Sequence, residues 1–192
     1  MEAITRNIET YGYIALFVYS LGGGFVGLVA AGTLAAIGLL DIAVTLIVAF
    51  AGNVAGDTIL FYLARTNKKE VLRYLKKHRR KIALSFKLLK RWGAWIIVGQ
   101  KFVYGLKTII PIVVGFSGYR FWRFFALNLL GAALWAAVFG FGGFLAGDFF
   151  RRFAEDFGGR AYWLPIALFA VLGVSYLLLT IVTKRRGAKK SG

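Results

Sequence analysis

Two lysines, Lys101 and Lys107, interrupt an otherwise apolar stretch that covers residues 94–118. If this stretch lies at membrane depth, each charge costs about 2.5 to 3.5 kcal/mol on insertion scales unless something compensates for it. One explanation is snorkelling, in which the long stem carries the ammonium to the membrane surface. The other is that both lysines line a cavity and bind an anion, since lysine acts as a compact positive charge toward phosphate.

The interval between the two lysines favours a position on either side of a hairpin tip over a shared helical face. Gly105 would allow a tight turn there, and Tyr104 could donate its hydroxyl or simply pack. Pro111, just beyond, would leave a carbonyl unpaired. The predicted substrate-binding residues are Lys101, Lys107, Tyr104, Gly105 and Gln100.

Asp57 is the only acidic residue well inside a long apolar span. A lone intramembrane carboxylate is a candidate functional group, either protonated, paired with one of the two lysines, or relaying a proton. Its separation from Arg65 is about 12 Å at helical rise, so it could instead approach the inner interface. Asn53, one turn earlier on the same face, and Asn128 in a later span could complete a polar lining or bond helix to helix.

The composition indicates a membrane protein, because 59% of the 192 residues are hydrophobic. Cysteine is absent and His78 is the only histidine, so we expect no metal site and no cofactor. The net charge of +17 is clustered between apolar spans rather than spread over one surface. We therefore expect membrane lipids, not nucleic acid, to be the partners.

Three segments are long enough to cross the membrane as helices, namely residues 42–64, 124–147 and 161–183. Twelve basic residues fall within residues 65–91, opposed by Glu70 alone, and five more occupy the tail 184–192. The positive-inside rule places both segments in the cytoplasm. Apolar residues at helical spacing within 68–92 predict an amphipathic helix on the anionic inner leaflet.

Residues 92–119 have basic flanks at both ends, which predicts that this segment enters and leaves the membrane on one side. Residues 11–40 are charge-free and broken by Gly22-Gly23-Gly24, which favours a second re-entrant hairpin over one tilted helix. Each half of the chain then consists of a hairpin and a spanning helix in opposite orientation. This is the pattern of an inverted repeat, which places a transporter's substrate site near the midplane.

The sequence thus predicts a single all-α polytopic membrane domain over residues 1–192. Its parts are a first hairpin with its span (11–65), a basic cytoplasmic amphipathic connector (66–91), a second hairpin with its span (92–147), a C-terminal span (161–183) and a basic tail (184–192).

Several motifs resemble the DedA family of bacterial inner-membrane proteins, also called the SNARE-associated or VTT-domain family. These are "GNVAGDTILFYLAR" (52–65), the lysine-bearing stretch, and the later positions Asn128, Gly131, Trp135 and Gly147. The resemblance covers roughly residues 12–150. It implies two opposed re-entrant hairpins, a multi-pass inner-membrane location and translocation of lipid phosphates, notably undecaprenyl phosphate or phospholipids, with proton coupling proposed for some members.

The sequence departs from the family pattern in both hairpins. Lys101 and Lys107 stand where members usually carry arginines, and Tyr104 replaces a proline. The positive charges are kept, but the guanidinium groups that bind a phosphate through two parallel N–H bonds are lost. The first hairpin has Gly23-Gly24-Phe25 where many members have Pro-Gly-acid, so it offers no carboxylate for proton coupling. A passive carrier or scramblase, coupling through Asp57, and a divergent branch with another substrate all remain open.

We therefore expect a non-enzymatic flippase or scramblase that binds an anionic lipid or polyprenyl phosphate through its hairpin lysines. One alternative is a membrane homeostasis or assembly factor that docks through the basic connector. Another is an enzyme acting on lipid phosphates, although such chemistry usually needs several catalytic groups or metal ligands and the membrane segments offer only Asp57. The sequence gives neither the lipid, the direction and energy source of transport, nor the oligomeric state.

Overall fold

A computed structural model of the protein describes residues 2–67, 69–71, 73, 79–103 and 106–156. Every regular element in these ranges is helical, as the sequence predicts. Several predicted features lie outside the described residues: His78, Tyr104, Gly105, the C-terminal span 161–183 and the tail 184–192.

The first apolar stretch folds into two helices, α1 (Glu2–Leu21) and α2 (Phe25–Ala36). They are separated at the predicted glycine triplet, where Gly23 adopts a φ of 64° that side chains other than glycine rarely accept. The Asp41 N–H, beyond α2, donates a 2.8 Å hydrogen bond to the Tyr13 hydroxyl on α1. The chain therefore returns along α1 and forms a helical hairpin, rather than one long tilted helix.

The first spanning helix is α3 (Ile42–Thr66), close to its predicted bounds. The Asp41 carboxylate caps its start by accepting a 2.9 Å hydrogen bond from the Val44 N–H. With 25 residues and a mean hydropathy of 1.7, it is long and apolar enough to cross a membrane.

The second half begins with α4 (Arg79–Trp92), which is the described part of the predicted basic amphipathic helix. Leu88 and Leu89 pack against the interior, while Lys87 and Lys90 are exposed. A 3₁₀ turn (Gly93–Trp95), the short helix α5 (Ile96–Gly99), a second 3₁₀ turn (Gln100–Phe102) and helix α6 (Ile109–Phe116) then follow.

Residues 93–116 also fold back on themselves, because Ile97 of α5 and Val114 of α6 belong to one buried cluster. Helical structure stops at Phe102 and resumes at Ile109. Pro111 falls in the first turn of α6, where its missing N–H would have had no helical partner in any case.

The last described helix is α7 (Phe121–Asp156), and its segment Phe121–Phe153 is the second one long and apolar enough to span a membrane. The helix continues past residue 147, where the sequence predicts that the span ends. The chain divides there into two compact units, residues 1–147 and residues 148–192. In the described part of the second unit, Asp148 accepts 2.8 Å hydrogen bonds from Arg151 and Arg152.

The two larger buried clusters of the described residues hold the first unit together. One joins α1, α2, α3 and α7 through side chains that include Leu16, Leu28, Ala49 and Trp135. The other joins α3, α5, α6 and α7, and at its centre the rings of Phe61 and Phe124 stack with centroids 4.5 Å apart. The 3₁₀ turn that carries Lys101 is thereby held against the two long helices.

Candidate functional site

Lys101 is buried, with only 1% of its side chain exposed. Its ammonium donates to the Asn53 side-chain oxygen, to Asp57 Oδ2 at 2.7 Å and to Asn128 Oδ1 at 2.8 Å. An ammonium has three N–H donors, so these acceptors satisfy all of them. Because a buried charge is tolerated only when it is paired and hydrogen-bonded, this arrangement explains how a lysine occupies this depth.

Helix α3 supplies two of the three acceptors. Asn53 and Asp57 are one turn apart and therefore share a face, as the sequence predicts. The Asp57 side chain is 11% exposed and forms an ion pair with Lys101. Of the alternatives that the sequence leaves open for Asp57, the structure has the pair with a lysine, and Lys101 is the lysine involved.

Helix α7 supplies the third acceptor and the space for the lysine stem. Asn128 is fully buried, and its amide also donates to the Val54 carbonyl at 3.2 Å, which ties α7 to α3. One turn further along, a Cβ added to Gly131 would lie 3.0 Å from Lys101 Cε and 3.1 Å from Val98 Cα. Glycine at this position therefore lets the stem of Lys101 pass close to the helix.

Lys107 has a different environment from Lys101. It is half-buried, and its ammonium donates to the Gly23 carbonyl at the tip of the first hairpin. It lines a cavity of about 330 Å³ that is open on one side, together with Leu21, Gly22, Gly56, Asp57, Ile59, Leu60 and Thr108. No carboxylate within the described residues forms an ion pair with Lys107.

The structure brings both lysines and all three predicted polar partners together. Asp57 connects the two lysines, because it pairs with Lys101 and also forms part of the cavity wall that contains Lys107. The tip of the first hairpin is close as well, since a Cβ on Gly23 would lie 3.3 Å from both Asn53 Nδ2 and Lys107 Nζ. The ionisable groups at this site are Lys101, Lys107 and Asp57, with two formal positive charges and one formal negative charge.

Two further polar side chains are fully buried, and neither has a hydrogen-bond partner among the described residues. One is Gln100, which the sequence indicates as a binding residue and which does not line the cavity that contains Lys107. The other is Ser20 near the tip of the first hairpin, which the sequence reasoning missed. The signal was present, since Ser20 and Thr33 are the only aliphatic hydroxyl residues between residues 11 and 40.

Comparison with known proteins gives matches over most of the chain. The VTT domain family matches residues 4–145. The inner membrane protein YohD of Escherichia coli (strain K12) is 32% identical over 186 residues, which are 95% of this chain and 94% of that protein. The undecaprenyl phosphate transporter A of Staphylococcus aureus (strain NCTC 8325 / PS 47) is 26% identical over 208 residues, 98% of this chain and 99% of that protein. No solved structure matches the chain.

These relatives are named as membrane proteins or as a transporter, and neither is named as an enzyme. Together with the two long apolar helices, the matches identify the chain as a protein of the bacterial inner membrane.

Proposed function

We propose that this chain, which belongs to the VTT-domain family of membrane proteins also called DedA, moves a lipid phosphate across the inner membrane. The substrate class is undecaprenyl phosphate or a phospholipid, and the chain acts as a flippase or scramblase without chemical conversion of the lipid. The S. aureus relative is named for transport of undecaprenyl phosphate, which motivates the choice of substrate class.

The observation that carries the proposal is the ammonium of Lys107, which lies in the wall of an open cavity and forms no ion pair with a carboxylate among the described residues. Lys101 makes this possible, because it occupies the Asp57 carboxylate that would otherwise neutralise Lys107. With Lys101 held by three acceptors, Lys107 is the cation available to contact a phosphate directly. Lys101 contributes by holding the Asp57 carboxylate in an ion pair, so that Asp57 lines the cavity without forming an ion pair with Lys107.

The walls of the cavity suit a phosphate that carries a hydrocarbon tail. Leu21, Ile59 and Leu60 are apolar, while Lys107 and Thr108 provide a charge and a hydroxyl. Because the cavity is open on one side, the phosphate can sit against Lys107 while the acyl or prenyl tail stays in the bilayer. A charged phosphate in hydrocarbon is expensive to transfer, so a protein-lined polar site at this depth lowers the barrier to flipping.

The proposal also covers the orientation of the two helical hairpins in the membrane. We propose that both are re-entrant, that the first opens to the outside and the second to the cytoplasm, and that they form an inverted repeat. The bond from Lys107 to the Gly23 carbonyl joins the two hairpins at their broken segments. In transporters built from inverted repeats, the substrate site lies near the midplane at such a junction.

Flip of a fluorescent undecaprenyl phosphate analogue in proteoliposomes tests the proposal. We expect Lys107→Gln to slow lipid flip to the protein-free rate. Lys107→Arg retains the positive charge and should keep most of the parent's flip rate. Lys87→Gln is the matched control, because it removes one charge from the exposed surface of α4. Equal flip by the parent and by correctly folded Lys107→Gln protein would exclude Lys107 as the phosphate contact.

The same vesicles separate the alternatives. Acceleration by an imposed proton gradient would indicate coupled transport, and an unchanged rate would indicate a scramblase. Release of inorganic phosphate or of an altered lipid would indicate an enzyme. A chain that flips no lipid but loses its cellular role when the charges of the basic connector are replaced would be a docking factor.

A further inference from the structure

A second cavity adjoins the one that contains Lys107. Its volume is about 340 Å³, and Leu60 and Thr108 belong to the walls of both cavities. Its other lining residues are Leu63, Asn67, Glu70, Val71 and Ile112. The two cavities therefore adjoin at Leu60 and Thr108, and together they outline a groove along α3 whose other walls include Val71, Lys107 and Ile112.

The groove follows one face of α3. Gly56, Leu60, Leu63 and Asn67 line it at intervals of four, three and four residues, which is the spacing of a single helical stripe. At 1.5 Å per residue the stripe is about 16 Å long. It ends at Asn67, just beyond the last turn of α3, where the basic connector begins and where the positive-inside rule places the cytoplasmic surface.

Polar groups occur along the whole groove rather than only at its ends. Lys107 and Asp57 lie at the deep end, the Thr108 hydroxyl at the junction, and Asn67 with Glu70 at the surface end. The remaining walls are aliphatic. A groove for a hydrocarbon tail would gain nothing from these polar side chains, whereas a phosphate needs hydrogen-bond donors away from water, and Asn67, Thr108 and Lys107 each provide one.

We propose that this groove is the route by which the phosphate headgroup of the lipid travels between the cytoplasmic surface and Lys107. The proposal rests on the lipid-phosphate transport proposed above. Both cavities are open along one side, so the tail remains in the bilayer while the headgroup moves past Thr108.

The absence of cysteine from the sequence allows a direct test with single-cysteine variants. Leu63→Cys and Thr108→Cys place a thiol in the groove. Tyr62→Cys is the matched control, because Tyr62 is the neighbouring residue on α3, is 45% exposed against 44% for Leu63, and lines neither cavity. The probe is a small, negatively charged, water-soluble methanethiosulfonate applied to inside-out and right-side-out vesicles.

We expect the two groove cysteines to react about tenfold or more faster than the Tyr62→Cys protein, and only from the cytoplasmic side, because a charged reagent does not enter hydrocarbon. Undecaprenyl phosphate in the vesicles should slow the reaction at Thr108→Cys, and inorganic phosphate at the same concentration should not. Equal reaction rates at Leu63→Cys and Tyr62→Cys would refute the groove as an aqueous route. Equal protection by inorganic phosphate would refute a lipid as its occupant.

A transport measurement separates this proposal from the function on which it rests. After a bulky methanethiosulfonate has reacted with Thr108→Cys, flip of the fluorescent lipid should fall to the protein-free rate. The same treatment of the parent and of the Tyr62→Cys protein should leave flip unchanged. If the blocked Thr108→Cys protein still flips lipid at the parent rate, the route is wrong and the transport function stands. If the untreated parent flips no lipid, the transport function itself fails.

Discussion

Removal of the Lys101 ammonium should destabilise the first unit severely, and removal of its acidic partner at the same time should restore much of the loss. The single variants are Lys101→Met and Asp57→Leu, and the third protein combines them. Both replacements are apolar side chains of roughly similar size to the originals, so the interior stays filled. The difference between the double variant and the two single variants isolates the interaction between the ammonium and the carboxylate.

The magnitude follows from the burial of the pair. Lys101→Met breaks the ion pair of the Asp57 carboxylate, whose side chain is 11% exposed, and breaking a buried pair in this way costs about 3 to 5 kcal/mol. Asp57→Leu costs less, because the ammonium keeps the Asn53 and Asn128 oxygens. The double variant has no buried charge and loses only the hydrogen bonds of those amides. We therefore expect a coupling energy of about 2 to 3 kcal/mol, with the double variant more stable than Lys101→Met.

Unfolding in mixed micelles of increasing SDS fraction, followed by tryptophan fluorescence, measures these differences. Trp135 is buried in the cluster that joins four helices and reports its opening. Lys87→Met is the control for loss of an exposed lysine and should change stability by no more than about 0.5 kcal/mol. If the two single losses simply add in the double variant, Lys101 and Asp57 do not form the buried pair on which the availability of Lys107 depends.

Three further variants test contacts around the site. Gly143→Ala should lower stability by about 1 to 3 kcal/mol, because its Cβ would overlap the Val29 carbonyl. Gly142→Ala has open space around it and should be neutral or stabilising. The same SDS titration compares the two variants. Gly131→Ala should push the stem of Lys101 away from α7 and cost about 1 to 2 kcal/mol, and a stability equal to that of the parent would contradict the close passage. Arg65→Lys should lower the melting temperature as much as Arg65→Gln. The reason is that lysine has no guanidinium to bond the Tyr119 carbonyl and stack on the Phe61 ring. A melting temperature of Arg65→Lys equal to that of the parent would show that charge alone matters.

The sequence located the groups of the site because each of them is anomalous in its surroundings. A carboxylate, two ammoniums and two amides in apolar segments are costly unless they meet, so their convergence could be expected from sequence alone. The pairing of Asp57 with Lys101 rather than Lys107 could not be expected. Among the described residues, no helix lies between the 3₁₀ turn that carries Lys101 and the helix that begins at Ile109, so no periodicity indicates which lysine faces α3.

The end of α7 shows a different limit of sequence reasoning. Hydropathy places the end of the span at residue 147, where the apolar residues stop, but the helix continues to Asp156. The continuation is stabilised by pairs at helical spacing, since Asp148 bonds to Arg151 and Arg152, and Arg151 lies 3.8 Å from Glu155. The spacing of these charges therefore supports a helix. The groove along α3 was beyond sequence reasoning, because its walls come from residues far apart in the chain.

One spacing that recurs in both halves supports the proposed inverted repeat. Asn53 precedes Gly56 by three residues on α3, and Asn128 precedes Gly131 by three residues on α7. In each helix the asparagine accepts from the Lys101 ammonium, and the glycine packs against the hairpin of its own half, Gly56 against Leu21 and Gly131 against Val98. The charged groups of the two halves differ. Asp57 follows the first glycine, where the second half has an alanine, and the lysines belong to the second hairpin alone. An ion pair between the halves thus requires one charged group from each, and the second lysine is left over to bind a substrate anion.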